Sequence, residues 1–140
     1  MRRDPPLPLA WDTGREMSQE NVEIVRRWVL DPDSANMSDV DPDIVWNPVD
    51  EAGSQGHDAV RASLARWKGE WDEYEQTAEE FVDICDRVVA TMHFHGRGRG
   101  SGVETDARFY GVYTVRDGKI VRMDEFTERS EALEAAGLLE

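Results

Sequence analysis

One cysteine, Cys85, stands in a chain of 140 residues. A single thiol excludes an internal disulfide and any cysteine-based metal cluster, and it suits a reducing compartment. Cys85 itself reads as a small buried hydrophobe rather than a nucleophile. Long apolar runs are missing as well: nothing approaches the ~20 residues of a membrane span. Residues 7–11 are too short and too proline-broken for the apolar stretch of a signal peptide. A cytoplasmic protein with no membrane partner is the expectation. Basic residues are the third scarcity, 16 Lys and Arg against 30 Asp and Glu, for a formal charge of −14. A surface of that sign repels phosphate backbones, so nucleic acid is not an expected partner.

Apolar residues make up 39% of the chain and aromatic residues 9%, with five Trp, which is enough to build one core. Residues 1–16 hold three of the six prolines and show no regular period, so they read as an extended N-terminal arm before a domain spanning 17–140. From 18 to 30, Val22, Val25 and Val29 recur at helical spacing with Trp28 beside them, and Glu20, Glu23, Arg26 and Arg27 fall on the other sides. Ser38 to Val40 suits a short turn. Ile44-Val45-Trp46-Asn47 reads as a strand stopped by Pro48. Residues 56–71 form the clearest helical pattern, with Val60, Leu64, Trp67 and Trp71 stepping along one face. Four strand-like runs follow, at 74–85, 87–95, 103–115 and 119–127, and a short helix at 130–136 ends at Gly137.

Asp117-Gly118 is a strong hairpin signal, because a two-residue turn with both residues at positive φ favours this pair. A regular ladder counted from it opposes Arg116 to Lys119, Val115 to Ile120, Val112 to Met123, Tyr110 to Glu125 and Arg108 to Thr127. That register sets Glu125 on a face with Val121, Met123, Val112 and Tyr110. Phe109, Tyr113 and Phe126 then share the opposite face, an aromatic surface that calls for a homodimer partner.

The wording of several stretches resembles the SnoaL-like branch of the nuclear transport factor 2-like superfamily. These are Ser18-Gln19-Glu20-Asn21-Val22-Glu23, Asp41-Pro42-Asp43-Ile44-Val45-Trp46, Gly56-His57-Asp58-Ala59-Val60-Arg61, Arg116-Asp117-Gly118-Lys119-Ile120-Val121 and the run 129–138. The resemblance covers residues 17–138. It implies an α+β fold, a cone of curved antiparallel sheet with N-terminal helices enclosing a pocket. It does not choose an activity, since isomerases, cyclases, hydrolases, dehydratases and silent binders share the fold.

In the polyketide cyclases of this branch an acidic residue on the last strand acts as general acid and base, and the resemblance brings Glu125 to that position. A carboxylate among apolar neighbours suits proton transfer, and Tyr110, opposite it in the expected register, would donate to a developing enolate oxygen. Arg108 on the same face would bind a ligand carboxylate or neutralise Glu125. Trp46, Trp67 and Trp71 would supply an aromatic wall, with Val112 and Met123 completing the lining. The second acid of ketosteroid isomerase, whose tyrosine and protonated aspartate flank an aspartate base, has no counterpart in the chain. Neither has the Arg and two-Asp arrangement of limonene epoxide hydrolase. The expected ligand is a small apolar or amphipathic molecule, bound without a cofactor. The alternative is a noncatalytic homodimeric accessory module.

His93 and His95 have a spacing that can ligate a metal, but alternation points them away from the apolar Val88, Ala90, Met92 and Phe94, and no third ligand is in view, so no metal site is expected. The glycine and arginine run at 96–102 is followed by a strand rather than a helix, which makes it a hairpin connection and not a phosphate loop.

Overall fold

The computed structural model describes residues 9–30, 37–49 and 52–137. Its element order is α1 (Leu9–Leu30), a 3-10 turn (Met37–Asp39), β1 (Val40–Asn47), β2 (Ser54–Gln55), α2 (His57–Lys68), β3 (Trp71–Ile84), β4 (Arg87–Gly98), β5 (Glu104–Arg116), β6 (Lys119–Phe126) and α3 (Arg129–Ala135). The strands form one six-stranded curved sheet in the order β2-β1-β6-β5-β4-β3, the α+β fold expected. Every described pairing is antiparallel except that of β1 with β6, which is parallel and returns the first long strand to the side of the last.

The sheet has two covered faces. On the inner face Ile24, Val25, Trp28 and Val29 of α1 and Val60 of α2 pack on Val40, Ile44, Trp46, Val88, Ala90, Met92, Tyr113, Val115, Ile120 and Met123. On the outer face Ala132 and Ala136 cover Val89 and Val112, with Tyr110, Phe126 and Leu133 around them. Burial on the inner face follows the helical period in α1 and alternation in β4, the two patterns that side-chain geometry imposes.

Four expectations give way. Residues 9–16, read as part of an extended arm, lie in α1. The three prolines of that stretch all precede Leu9, so none removes a backbone donor inside the helix; residues 1–8 fall outside the described set. Trp71, read as the last turn of α2, begins β3 instead, because α2 closes at Gly69, whose N–H donates to the Ala65 carbonyl. Cys85 is exposed rather than buried, at a left-handed φ of 58° in the turn between β3 and β4. β2 carried no pattern to read, being two residues long.

The fourth correction matters most for function. The Asp117-Gly118 turn forms as expected, with φ values of 51° and 77°, and Arg116 faces Lys119 and Val115 faces Ile120. Beyond that pair the register shifts, so that Thr114 faces Arg122, Tyr113 faces Met123, Val112 faces Asp124, Gly111 faces Glu125 and Tyr110 faces Phe126. Val121 is the extra residue of a β-bulge. On its other edge β6 also meets β1 irregularly at this point, between the Val40/Ile120 and Val45/Arg122 pairs. Ile120 and Met123 are both buried in the inner core. Residues three apart cannot share a face in a regular strand, and one inserted residue allows both to point inward.

Candidate functional site

The bulge decides which side chains meet. Glu125 and Met123 project to the inner face with Tyr113, whereas Tyr110 and Val112 go to the outer face beneath α3. The expected partnership of Glu125 with Tyr110 does not form, and Val112 does not line the same surface. Tyr113, assigned to an exposed aromatic surface by the regular ladder, is 3% exposed inside the inner core, and Phe109 packs against that core too. Phe126 lies on the outer face against the α3 cluster. The three aromatics therefore do not form one exposed patch.

Trp46 reaches Glu125 from β1. The parallel pairing sets Trp46 beside Met123, and its indole Nε1–H donates to Glu125 Oε2 at 3.2 Å. Trp46, Met123 and Tyr113 thus make a row across three adjacent strands, with Glu125 two residues beyond Met123 on the same face. Trp46 and Met123 are buried, and Glu125 is half-buried.

Tyr113 lies back along its own strand. A Cβ built on Gly111 would come within 2.6 Å of the Tyr113 ring and 2.8 Å of its hydroxyl oxygen, so the phenol occupies the space that a side chain at 111 would take. The hydroxyl donates to Met92 Sδ at 3.8 Å, a weak acceptor. Burial, and then the negative charge of Glu125, push the Tyr113 hydroxyl well above its usual pKa. It is a neutral O–H at all ordinary pH, able to donate but not to carry charge.

The remaining candidates make contacts of their own. Arg108 is on the outer face and forms a two-pronged pair with Glu79, at 2.7 and 3.0 Å, not with Glu125. Trp67 and Trp71 come together with Tyr74 and Phe94 in a cluster whose ring centroids are 4.7 to 6.1 Å apart. Within it the buried Trp71 Nε1–H meets no acceptor.

His93 and His95 point outward, as alternation required, and both meet Asp106: His93 Nε2 lies 2.8 Å from Oδ1 and His95 Nδ1 lies 3.3 Å from Oδ2. These hydrogen bonds hold the Asp106 carboxyl below its usual pKa. Among the described residues no group of three His, Cys, Asp or Glu is arranged to hold a metal ion. Residues 96–98, read as part of the hairpin connection, continue β4, where Arg97 pairs with Glu73, and Arg99 in the turn donates to the carbonyls of Gly69 and Trp71. No helix among the described residues is long and apolar enough to cross a membrane.

The arrangement that remains is a half-buried carboxylate on an apolar inner face, gripped by an indole N–H and flanked by a phenol held neutral. A carboxylate so placed can accept a proton and return it, the chemistry of a general acid and base.

Solved structures share this architecture. A candidate SnoaL-like polyketide cyclase from a Jannaschia species superposes with a TM-score of 0.73 at 18% identity, over 99% of either chain. TerC, co-crystallised with polyporic acid, gives 0.67 at 22% identity over 84% of this chain and 98% of its own. A protein of ketosteroid isomerase-like fold from Catenulispora acidiphila, in complex with trimethylamine, gives 0.68 at 17% identity over 83% and 93%. No curated protein matches the chain significantly. Residues 31–123 match the family model of the SnoaL-like domain, most of the sheet and α2 included, and the chain belongs to that family within the nuclear transport factor 2-like superfamily.

Proposed function

We propose that this protein binds a small apolar or amphipathic molecule on the inner face of its sheet and uses Glu125 to move a proton on it, as a cofactor-free isomerase, cyclase or hydrolase would. The observation that carries this reading is the bond from Trp46 Nε1 to Glu125 Oε2. It fixes the orientation of a half-buried carboxylate beside the apolar Met123 and the buried ring of Tyr113, a setting that suits proton transfer. The small organic molecules held by TerC and by the Catenulispora protein support binding as a use of this fold. The alternative is a noncatalytic homodimeric accessory module; of the three aromatics expected to mark its outer face, Tyr113 lies in the inner core and Phe109 packs against it.

The chemistry available is abstraction of a proton next to a carbonyl. The Glu125 carboxylate takes the proton, the C–H electron pair forms a carbon–carbon double bond, and the carbonyl electrons move to oxygen; reprotonation at the same or another carbon completes the reaction. A direct assay is deuterium incorporation into 1-tetralone in D2O, followed by proton NMR. The protein is expected to accelerate incorporation. Glu125→Gln is expected to lose the acceleration while still giving saturation-transfer signals from bound tetralone. A Glu125→Gln protein that exchanges tetralone as fast as the parent rejects the role.

A further inference from the structure

We propose that Gly111 is a positioning residue, whose missing side chain seats the Tyr113 hydroxyl next to Glu125 so that this hydroxyl donates to the oxygen of the bound carbonyl compound. The inference rests on the proton-transfer reading of Glu125 and adds its electrophilic partner.

Three observations converge. Gly111 is the cross-strand partner of Glu125 on β5 and β6, and directly opposed residues have side-chain origins only about 5 Å apart. The Tyr113 phenol fills the space above Gly111, with its oxygen 2.8 Å from where a Cβ would stand. Tyr113 therefore presents its oxygen over the position that faces Glu125, although its own strand partner is Met123. The current acceptor of that hydroxyl, Met92 Sδ at 3.8 Å, is weak enough to be exchanged for a ligand oxygen at little loss.

In the reaction, Glu125 removes the proton from carbon and negative charge grows on the carbonyl oxygen. A neutral phenol aimed at that oxygen stabilises it without itself losing a proton, and returns to Met92 when the carbonyl re-forms. No oxidant, metal or second substrate is required. Any side chain at 111 would displace the phenol and separate the pair.

The experiment has two arms on the full-length protein. In the tetralone exchange assay, Tyr113→Phe is expected to lower the protein-catalysed rate about 100-fold, the usual loss of an oxyanion donor. Gly111→Ala is expected to lower it similarly, and the double variant no further. A merely structural glycine would instead add its own loss to that of Tyr113→Phe. If Tyr113→Phe or Gly111→Ala keeps the parent rate while Glu125→Gln abolishes it, the inference falls and the Glu125 reading stands. No acceleration by the parent protein removes both.

The second arm needs no substrate. Ultraviolet titration at alkaline pH should show Tyr113 ionising at lower pH in Glu125→Gln and in Gly111→Ala than in the parent. A Tyr113 transition unmoved by Glu125→Gln overturns the proximity on which the inference depends.

Discussion

The indole Nε1–H of Trp46 donates to Glu125 Oε2 at 3.2 Å across 79 residues of sequence. The bond joins the first long strand to the last, and it holds the carboxylate proposed to move the proton. Its physical strength can be read by substitution.

Trp46→Phe keeps an aromatic ring in the inner core and deletes the donor. A hydrogen bond to a charged acceptor in a partly buried site contributes about 1.5–3 kcal/mol, so urea unfolding of Trp46→Phe should show a loss of about that size. In a Glu125→Gln background the same substitution should cost about 1 kcal/mol less. Equal losses in the two backgrounds would mean that the two side chains are not coupled.

Stability should decline on the alkaline side through Tyr113. Its hydroxyl ionises only at a pH well above the usual tyrosine value, because burial and the Glu125 charge oppose the phenolate. The unfolded chain, with an ordinary tyrosine, loses that proton first. The contribution is fully present below the unfolded pKa, near 10, and is lost as pH rises from there through the folded value. Guanidinium midpoints measured from pH 8 to 11 should fall less steeply in Tyr113→Phe than in the parent. Identical slopes would contradict the buried, neutral phenol.

Cys85 should behave as an open thiol. It is exposed in the turn between β3 and β4, so Ellman's reagent is expected to titrate one thiol in the folded protein without denaturant. Its φ of 58° is unfavourable for a residue with a Cβ. Cys85→Gly should therefore raise stability by about 0.5–1 kcal/mol. Protection of the thiol until unfolding would refute the exposed turn.

Much of the fold was legible because its signals are local. The valines of α1, the alternation of Val88 to Phe94 and the Asp117-Gly118 turn each follow from a period or a backbone preference carried by adjacent residues. The site was legible only in part, and Val121 is the reason. Turn chemistry predicts where a hairpin starts, but whether its ladder stays regular depends on which residues the core claims. A clue was present in Ile120 and Met123, two large apolar residues at a spacing that no regular strand can point one way. Following that clue moves Tyr110 off the face of Glu125 and brings Tyr113 onto it, with Gly111 directly opposite the carboxylate. Glu125 and Trp46 keep to the inner face in either case, whereas their approach depends on the parallel pairing of β1 with β6. The bond of Arg108 to Glu79 had no such clue, since β3 carries several acidic residues and its own register shifts between Ala78 and Glu80.

The parallel pairing of β1 with β6 also sets a timetable for the protein's birth. Trp46 leaves the ribosome with α2 and four of the sheet's strands still to be made before Glu125 follows it. No N-terminal fragment ending before β6 can contain the pair, and closing so long a loop is slow compared with forming the β5–β6 hairpin. The bond between Trp46 and Glu125 is thus one that the chain can make only after β6 has been synthesised, and its formation reports that β1 has docked on β6.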